Sequence, residues 1–188
     1  MPQYYRVCVY DASARPGQNG HPLYRWPAQG YGRIDDPVGE YLVLYLADTP
    51  QGAVAETLGR YQSWARAVLA PPPKAPPGSV LALATYAGDP AVCDLDDGPR
   101  LVELGLRPSN VITRDRAVTQ SWARALFERP DGKGGREFSG ASWWSYYKPE
   151  WSSIGLWDLN LSVEDIEPLE LKHPSVVEAA DELNKLIS

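Results

Sequence analysis

A chain of 188 residues with 44% apolar and 22% charged side chains has the make-up of a folded protein with a real core. Its formal net charge of −6 leaves no basic surplus to neutralise phosphates, which excludes a general nucleic-acid binder. No apolar run approaches membrane-spanning length and the opening residues lack the apolar centre of a signal peptide, so a cytoplasmic protein with no membrane attachment is expected.

Tyr4 to Tyr10 reads as a first strand, with Arg6, Cys8 and Tyr10 on one side and Tyr5, Val7 and Val9 on the other. An arginine among Tyr and Val calls for a partner, either an acidic side chain or an anionic ligand. Residues 11 to 40 carry Gly, Pro, Asn and Asp at close intervals and predict a long loop, a length that is often functional. Tyr41 to Ala47 is a continuous apolar run, as expected of a strand covered on both faces.

Thr49-Pro50 then starts a helix, with Thr49 as N-cap and Pro50 in the first helical position. The pattern predicts that it runs to about Leu69, with Val54, Leu58, Tyr61, Ala65 and Val68 facing the core. Glu56 and Arg60 stand off that stripe at i, i+4, the spacing of an exposed salt bridge. Arg33 before the strand, Tyr45 near its end and Glu56 on the helix meet around one strand–helix corner, and a site is placed there.

Residues 70–78, with five prolines, form a stiff extended connector inside one domain that spans residues 1–188. Strands follow at Ser79 to Tyr86 and Val92 to Leu95. A helix is expected from Arg116 to Phe127 with Val118, Trp122 and Ala125 on its buried face. After a turn-rich loop, Ser139 to Tyr147 carries Ser145 in a Trp-Trp-Ser-Tyr-Tyr cluster. Ile154 to Asp158 and Ile166 to Leu171 read as short strands, and a last helix runs from Ser175 to Leu186, preceded by His173 in a structural or capping role. Strands scattered among three helices, without regular βαβ alternation, indicate an α+β fold.

Cys8 and Cys93 form no CxxC or Cys/His spacing, so no metal site is expected, and in a reducing cytosol two buried free thiols are a plainer reading than a disulfide. Gly134-Gly135 beside Lys133 and Arg136 lacks a P-loop pattern, and the glycines near residue 30 miss the dinucleotide fingerprint. Ser145 is not in a G-x-S-x-G elbow, and local sequence alone reads it as a strand serine among core aromatics.

Taken together, Tyr5-Arg6-Val7, Gly32-Arg33-Ile34-Asp35-Asp36-Pro37, Val43 to Ala47 and Ala53-Val54-Ala55-Glu56-Thr57 resemble the opening half of RES-domain proteins. Thr119 to Ala123, Gly140 to Ser145 and Ile154 to Asp158 extend the resemblance over nearly the whole chain. Ile34 stands where an aromatic is usual in that family. The resemblance implies an ADP-ribosyltransferase-like mixed sheet flanked by helices. It also implies an enzyme that degrades NAD+, in some members with inorganic phosphate as co-substrate, and often a toxin held inactive by an Xre-like antitoxin. Carried over, Arg6 and Arg33 match the family's arginines, Tyr45 its strand tyrosine, Glu56 its glutamate and Ser145 its serine.

Chemistry agrees in kind. Cleavage of a nicotinamide–ribose bond passes through an oxocarbenium-like state with a neutral leaving group, which a carboxylate such as Glu56 stabilises. Arg6 and Arg33 suit a pyrophosphate or phosphate, Tyr45 and nearby tryptophans suit a stacked ring, and Ser145 suits a hydrogen bond to ribose or phosphate. Two other readings share the resemblance: an ADP-ribosyltransferase acting on a macromolecule, and a binding module that keeps the fold without turnover.

Overall fold

β1 (Gln3–Tyr10) forms where tyrosines and valines alternate, and antiparallel partners flank it on both sides. On one side lies β2 (Leu44–Ala47), followed outward by β7 (Ser152–Leu156), β6 (Gly140–Trp144) and β5 (Val92–Asp94). On the other lie β4 (Val80–Gly88) and β8 (Leu161–Pro168). The seven-stranded sheet thus runs β5-β6-β7-β2-β1-β4-β8, with β5 and β6 its parallel pair. The helices are α1 (Pro50–Leu58), α2 (Gly98–Glu103), α3 (Pro108–Ile112), α4 (Arg116–Glu128) and α5 (Pro174–Glu182). β3 (Ser63–Trp64) and β9 (Leu186–Ile187) form a small parallel sheet of their own. This computed structural model describes Met1–Ser188 and has the expected α+β architecture. No helix is long and apolar enough to cross a membrane.

Strand alternation sorts the core. Cys8, Leu44, Leu46, Ala84, Tyr86, Ile154 and Leu156 pack on one face of the sheet, with Leu23 of the long loop against them. The opposite face carries two separate layers. Leu81, Leu83 and Ala47 pack under α1 and α5 through Val54, Leu58, Val176 and Ala180. Val43, Ala141 and Trp143 pack under α4 through Trp122, Ala123 and Leu126. Between these layers the sheet surface around β1, β2 and β7 is left with a gap.

Several expectations change. The helix from Pro50 ends at Leu58, not Leu69. Gly59 caps it, lying so close beneath the Tyr147 ring that a Cβ there would collide with it, and the Trp64 indole N–H donates to the Leu58 carbonyl at 3.1 Å. That bond satisfies an end carbonyl and redirects the chain into β3. Tyr61, Ala65 and Val68 are therefore off the helix.

The strand expected from Tyr41 pairs only from Leu44. Side chains of the long loop take its earlier backbone groups: Gln29 bonds both the N–H and the C=O of Val43 at 2.7 Å, and Arg25 bonds the Leu42 carbonyl at 3.0 Å. On α4, Trp122 is buried as expected, but Ala125 is exposed, and Thr119, Ala123 and Leu126 complete the inner face. α2 and α3 are short helices where no element was expected. Both cysteines are buried and unpaired, and His173 caps α5 by accepting from the Ser175 N–H at 3.2 Å.

Candidate active site

The gap between the two helical layers is a cavity of about 390 Å³ floored by the sheet. The register places Tyr5, Ala47, Ser153 and Trp143 in one row across four strands, all on the cavity face. Ala53, Glu56 and Thr57 of α1 form one wall, and Gly32, Arg33 and Arg116 lie along another. The corner picked out in the sequence is the corner where this cavity opens.

Glu56 reaches it because α1 begins immediately after β2. The Thr49 hydroxyl accepts from the Gly52 N–H at 3.0 Å, Pro50 supplies a preset first residue, and Glu56 follows on the second turn. The spacing with Arg60 predicts an ion pair that does not form: Arg60 donates to the Tyr61 hydroxyl at 2.7 Å. Instead Oε1 of Glu56 accepts from Ser145 Oγ at 2.6 Å and from Ser153 Oγ at 3.1 Å. Both serines are buried. Two donors on one oxygen leave Oε2 without a protein donor, able to accept from a ligand. The carboxylate also raises the Tyr147 pKa, after burial as the larger cause.

Ser145 lies just past the end of β6, where its N–H donates to the Trp151 carbonyl at 2.7 Å. Its side chain faces Glu56 on the cavity side of the sheet. Ser153, the second donor, comes from β7 and was not singled out from the sequence. The signal was its polar side chain at the start of an otherwise apolar strand, and only sheet register says which face it takes.

Arg33 is held by the loop before β2. Asp35, only 4% exposed, accepts from the Gly30 and Gly32 N–H groups at 2.8 and 2.7 Å and from Tyr45 Oη at 2.6 Å. A Cβ at Gly32 would collide with both the Tyr45 hydroxyl and the Asp35 carboxylate, so this turn accepts only glycine. Gln120 of α4 bonds the Gly30 and Gly32 carbonyls at 3.0 Å. Ile34 is fully buried against Gly155 of β7. The loop is thus pinned from three sides, and Arg33 extends from it. Its Nη1 donates to the carbonyls of Val111 at 2.6 Å and Thr113 at 3.0 Å, and its Cζ lies 5.9 Å from the Trp143 ring. Burial and then the charge of Arg116 lower the Arg33 pKa, with Glu56 and Tyr45 acting the other way; the group stays cationic at neutral pH.

Tyr45 and Trp143 meet edge to face with centroids 6.5 Å apart, so they form an aromatic wall. The Tyr45 hydroxyl is engaged by Asp35. Arg6 lines the cavity as a residue of β1, but its guanidinium does not join the constellation. Its strand position turns the side chain to the other face, where Nη1 donates to the Pro22 and Tyr24 carbonyls at 3.0 Å. Its partners are loop carbonyls and not the acidic side chain that its strand position called for. Arg33, Tyr45, Glu56 and Ser145 are therefore brought together, the Arg6 guanidinium is turned away although the residue lines the cavity, and Ser153, Asp35 and Arg116 are added.

A family model for the RES domain matches residues 4–173, nine-tenths of the chain. The chain belongs to the RES family. The crystal structure of the M. tuberculosis MbcT–MbcA toxin–antitoxin complex contains a chain of similar fold, with a TM-score of 0.56 and 15% identity over 97% of this chain and 89% of that chain. At that identity the likeness is one of fold. A search of curated protein sequences found no match.

Proposed function

We propose that this RES domain cleaves the nicotinamide–ribose bond of NAD+ and acts in the cytoplasm as the toxin of a toxin–antitoxin pair. The observation that supports it best is the Glu56 carboxylate, held by Ser145 and Ser153 on one oxygen and free on the other, at the wall of a cavity that also bears Arg33 and an aromatic pair. Nicotinamide leaves as a neutral ring, so the bond breaks without a general acid. Positive charge develops on the ribose, and a carboxylate fixed nearby stabilises it with little reorganisation. Oε2 can also accept from a ribose hydroxyl, which orients the sugar. Ser145 and Ser153 act as positioning residues: their hydroxyl protons are spent on Glu56. The Tyr45–Trp143 wall offers a face for an aromatic ring.

The attacking group is a second substrate, water for hydrolysis or inorganic phosphate for phosphorolysis, and no resident cofactor or metal is called on. The RES family assignment supports NAD+ as the substrate, and the structural neighbour, itself part of a toxin–antitoxin complex, supports a protein inhibitor. We place an Xre-like antitoxin in that role.

The test is incubation of purified protein with NAD+, with and without phosphate, followed by product identification. Free nicotinamide with ADP-ribose, or with its phosphorylated form when phosphate is present, is expected. Induced expression without a partner should lower cellular NAD+ and arrest growth. Intact NAD+ in the presence of folded protein would overturn the reading.

A further inference from the structure

With the Arg6 guanidinium bonded to loop carbonyls on the far face, the second cation at the cavity is Arg116. It comes from the first turn of α4, 83 residues along the chain from Arg33. It is exposed and takes part in none of the protein's ion pairs. Its neighbour Asp115 is occupied as the N-cap, accepting from the Ala117 N–H at 3.0 Å.

Stability does not account for a cation there. The positive end of the helix dipole favours an acidic side chain in the first turn and disfavours arginine. Nor does the side chain serve packing, being exposed. What Arg116 does share is the cavity wall with Arg33, whose pKa it lowers. Arg33 spends only Nη1 on the protein, on the two carbonyls of the segment leading into α4, so its Nε and Nη2 remain for a ligand. That same pair of bonds sets the segment from which Arg116 emerges. Two guanidinium groups beside one cavity repel each other until an anion lies between them, and their planar forks match the oxygens of a phosphate.

We propose that Arg33 and Arg116 together form an oxyanion subsite of this cavity, which takes a phosphate group. Two sources share that chemistry: the pyrophosphate of a dinucleotide substrate and an inorganic phosphate co-substrate. The assignment of sources rests on the NAD+ reading above, whereas the anion subsite itself does not.

Arg116→Gln removes the charge at an exposed position, so an unchanged melting temperature is expected. Steady-state kinetics of the wild-type and variant proteins, with NAD+ and inorganic phosphate varied in turn, read the source. A rise of about ten- to a hundred-fold in KM for NAD+ with kcat little changed, the size of one lost charged hydrogen bond, assigns the subsite to the dinucleotide. The same rise in KM for inorganic phosphate alone assigns it to the co-substrate. Arg116→Lys should recover part of either loss. Calorimetric titration with inorganic pyrophosphate separates this proposal from the proposed activity. Pyrophosphate binding that the variant loses, in a protein that leaves NAD+ intact, keeps the subsite and removes the NAD+ reading. Unchanged KM values and unchanged pyrophosphate binding in an active Arg116→Gln protein would overturn the subsite and leave NAD+ cleavage standing.

Discussion

Glu56 stands exposed on the second turn of a surface helix, and its neighbours give it its role. A surface carboxylate contributes little to stability, since its solvation is nearly as good unfolded as folded. Here two buried serine hydroxyls converge on one oxygen, an arrangement that costs side-chain freedom and returns a fixed orientation. Glu56→Gln keeps the shape and removes the charge from the place where positive charge develops. Turnover of NAD+ is expected to fall by about 10²–10³-fold, the usual loss for one electrostatic stabiliser. Substrate binding should fall far less, because the contacts of Arg33 and of the aromatic wall remain. NAD+ consumption measured beside a thermal melt checks this; near-normal turnover in the folded variant would remove Glu56 from the reaction.

At the scale of elements, the site depends on how a loop and a strand fit. β7 is apolar from Ile154 to Leu156 and carries Gly155 in its middle, opposite Tyr45 of β2 and Ala141 of β6. The missing side chain makes room for Ile34, whose Cδ1 would collide with a Cβ at Gly155, while Ile34 Cγ1 and Val43 Cγ1 would lie at 3.0 Å. The usual cost of a strand glycine is thus offset by the seating of the Arg33 loop. Gly155→Ala overpacks this contact and should destabilise the protein by about 1–3 kcal/mol. Adding Ile34→Val removes Cδ1, so the double variant should be more stable than the sum of the single effects by at least about 0.5 kcal/mol. Urea denaturation of the four proteins measures the coupling. Strict additivity would mean that loop and strand are not seated on each other in this way.

For the whole molecule, three phenols tie the long loop down, Tyr45 and Tyr86 from the sheet and Tyr41 from the segment leading into β2. Tyr41 Oη donates to the Ile34 carbonyl at 3.1 Å, Tyr45 Oη to Asp35 at 2.6 Å and Tyr86 Oη to the Pro22 carbonyl at 2.8 Å. Burial pushes all three hydroxyls well above the ordinary tyrosine range, with Asp36 adding to the rise at Tyr41, Asp35 at Tyr45 and Cys8 at Tyr86. In the unfolded chain they ionise near pH ~10. Above that value the unfolded state binds fewer protons than the folded one, so stability falls as pH rises. The contribution is fully present below pH ~10 and is lost above it, at up to about 1.4 kcal/mol per pH unit for each such group. Thermal melts between about pH 9 and pH 11 should show a steep drop on the alkaline side. A flat profile would mean that these phenols do not hold the loop as protonated donors.

Sequence by itself determined what short-range chemistry controls. The alternation of Tyr4 to Tyr10, the Thr49-Pro50 helix start and the cap at His173 are local, because strand period and helix capping involve residues only a few positions apart, and the order of motifs along the chain marks a RES domain. Placing Glu56 at a strand–helix corner followed from the same local rules. Tertiary structure decided which groups meet. The helix after Glu56 stops at Leu58 because Trp64 and Tyr147 crowd its end, a fact of packing that helical periodicity does not contain. Ser153 faces Glu56 through sheet register, and the Arg6 guanidinium is turned from the cavity by the same alternation. Arg116 enters only because α4 packs beside a loop that precedes it by more than 80 residues. Side-chain partners so distant along the chain are chosen by three-dimensional geometry, since each donor or cation bonds whichever acceptor or anion the fold brings within reach.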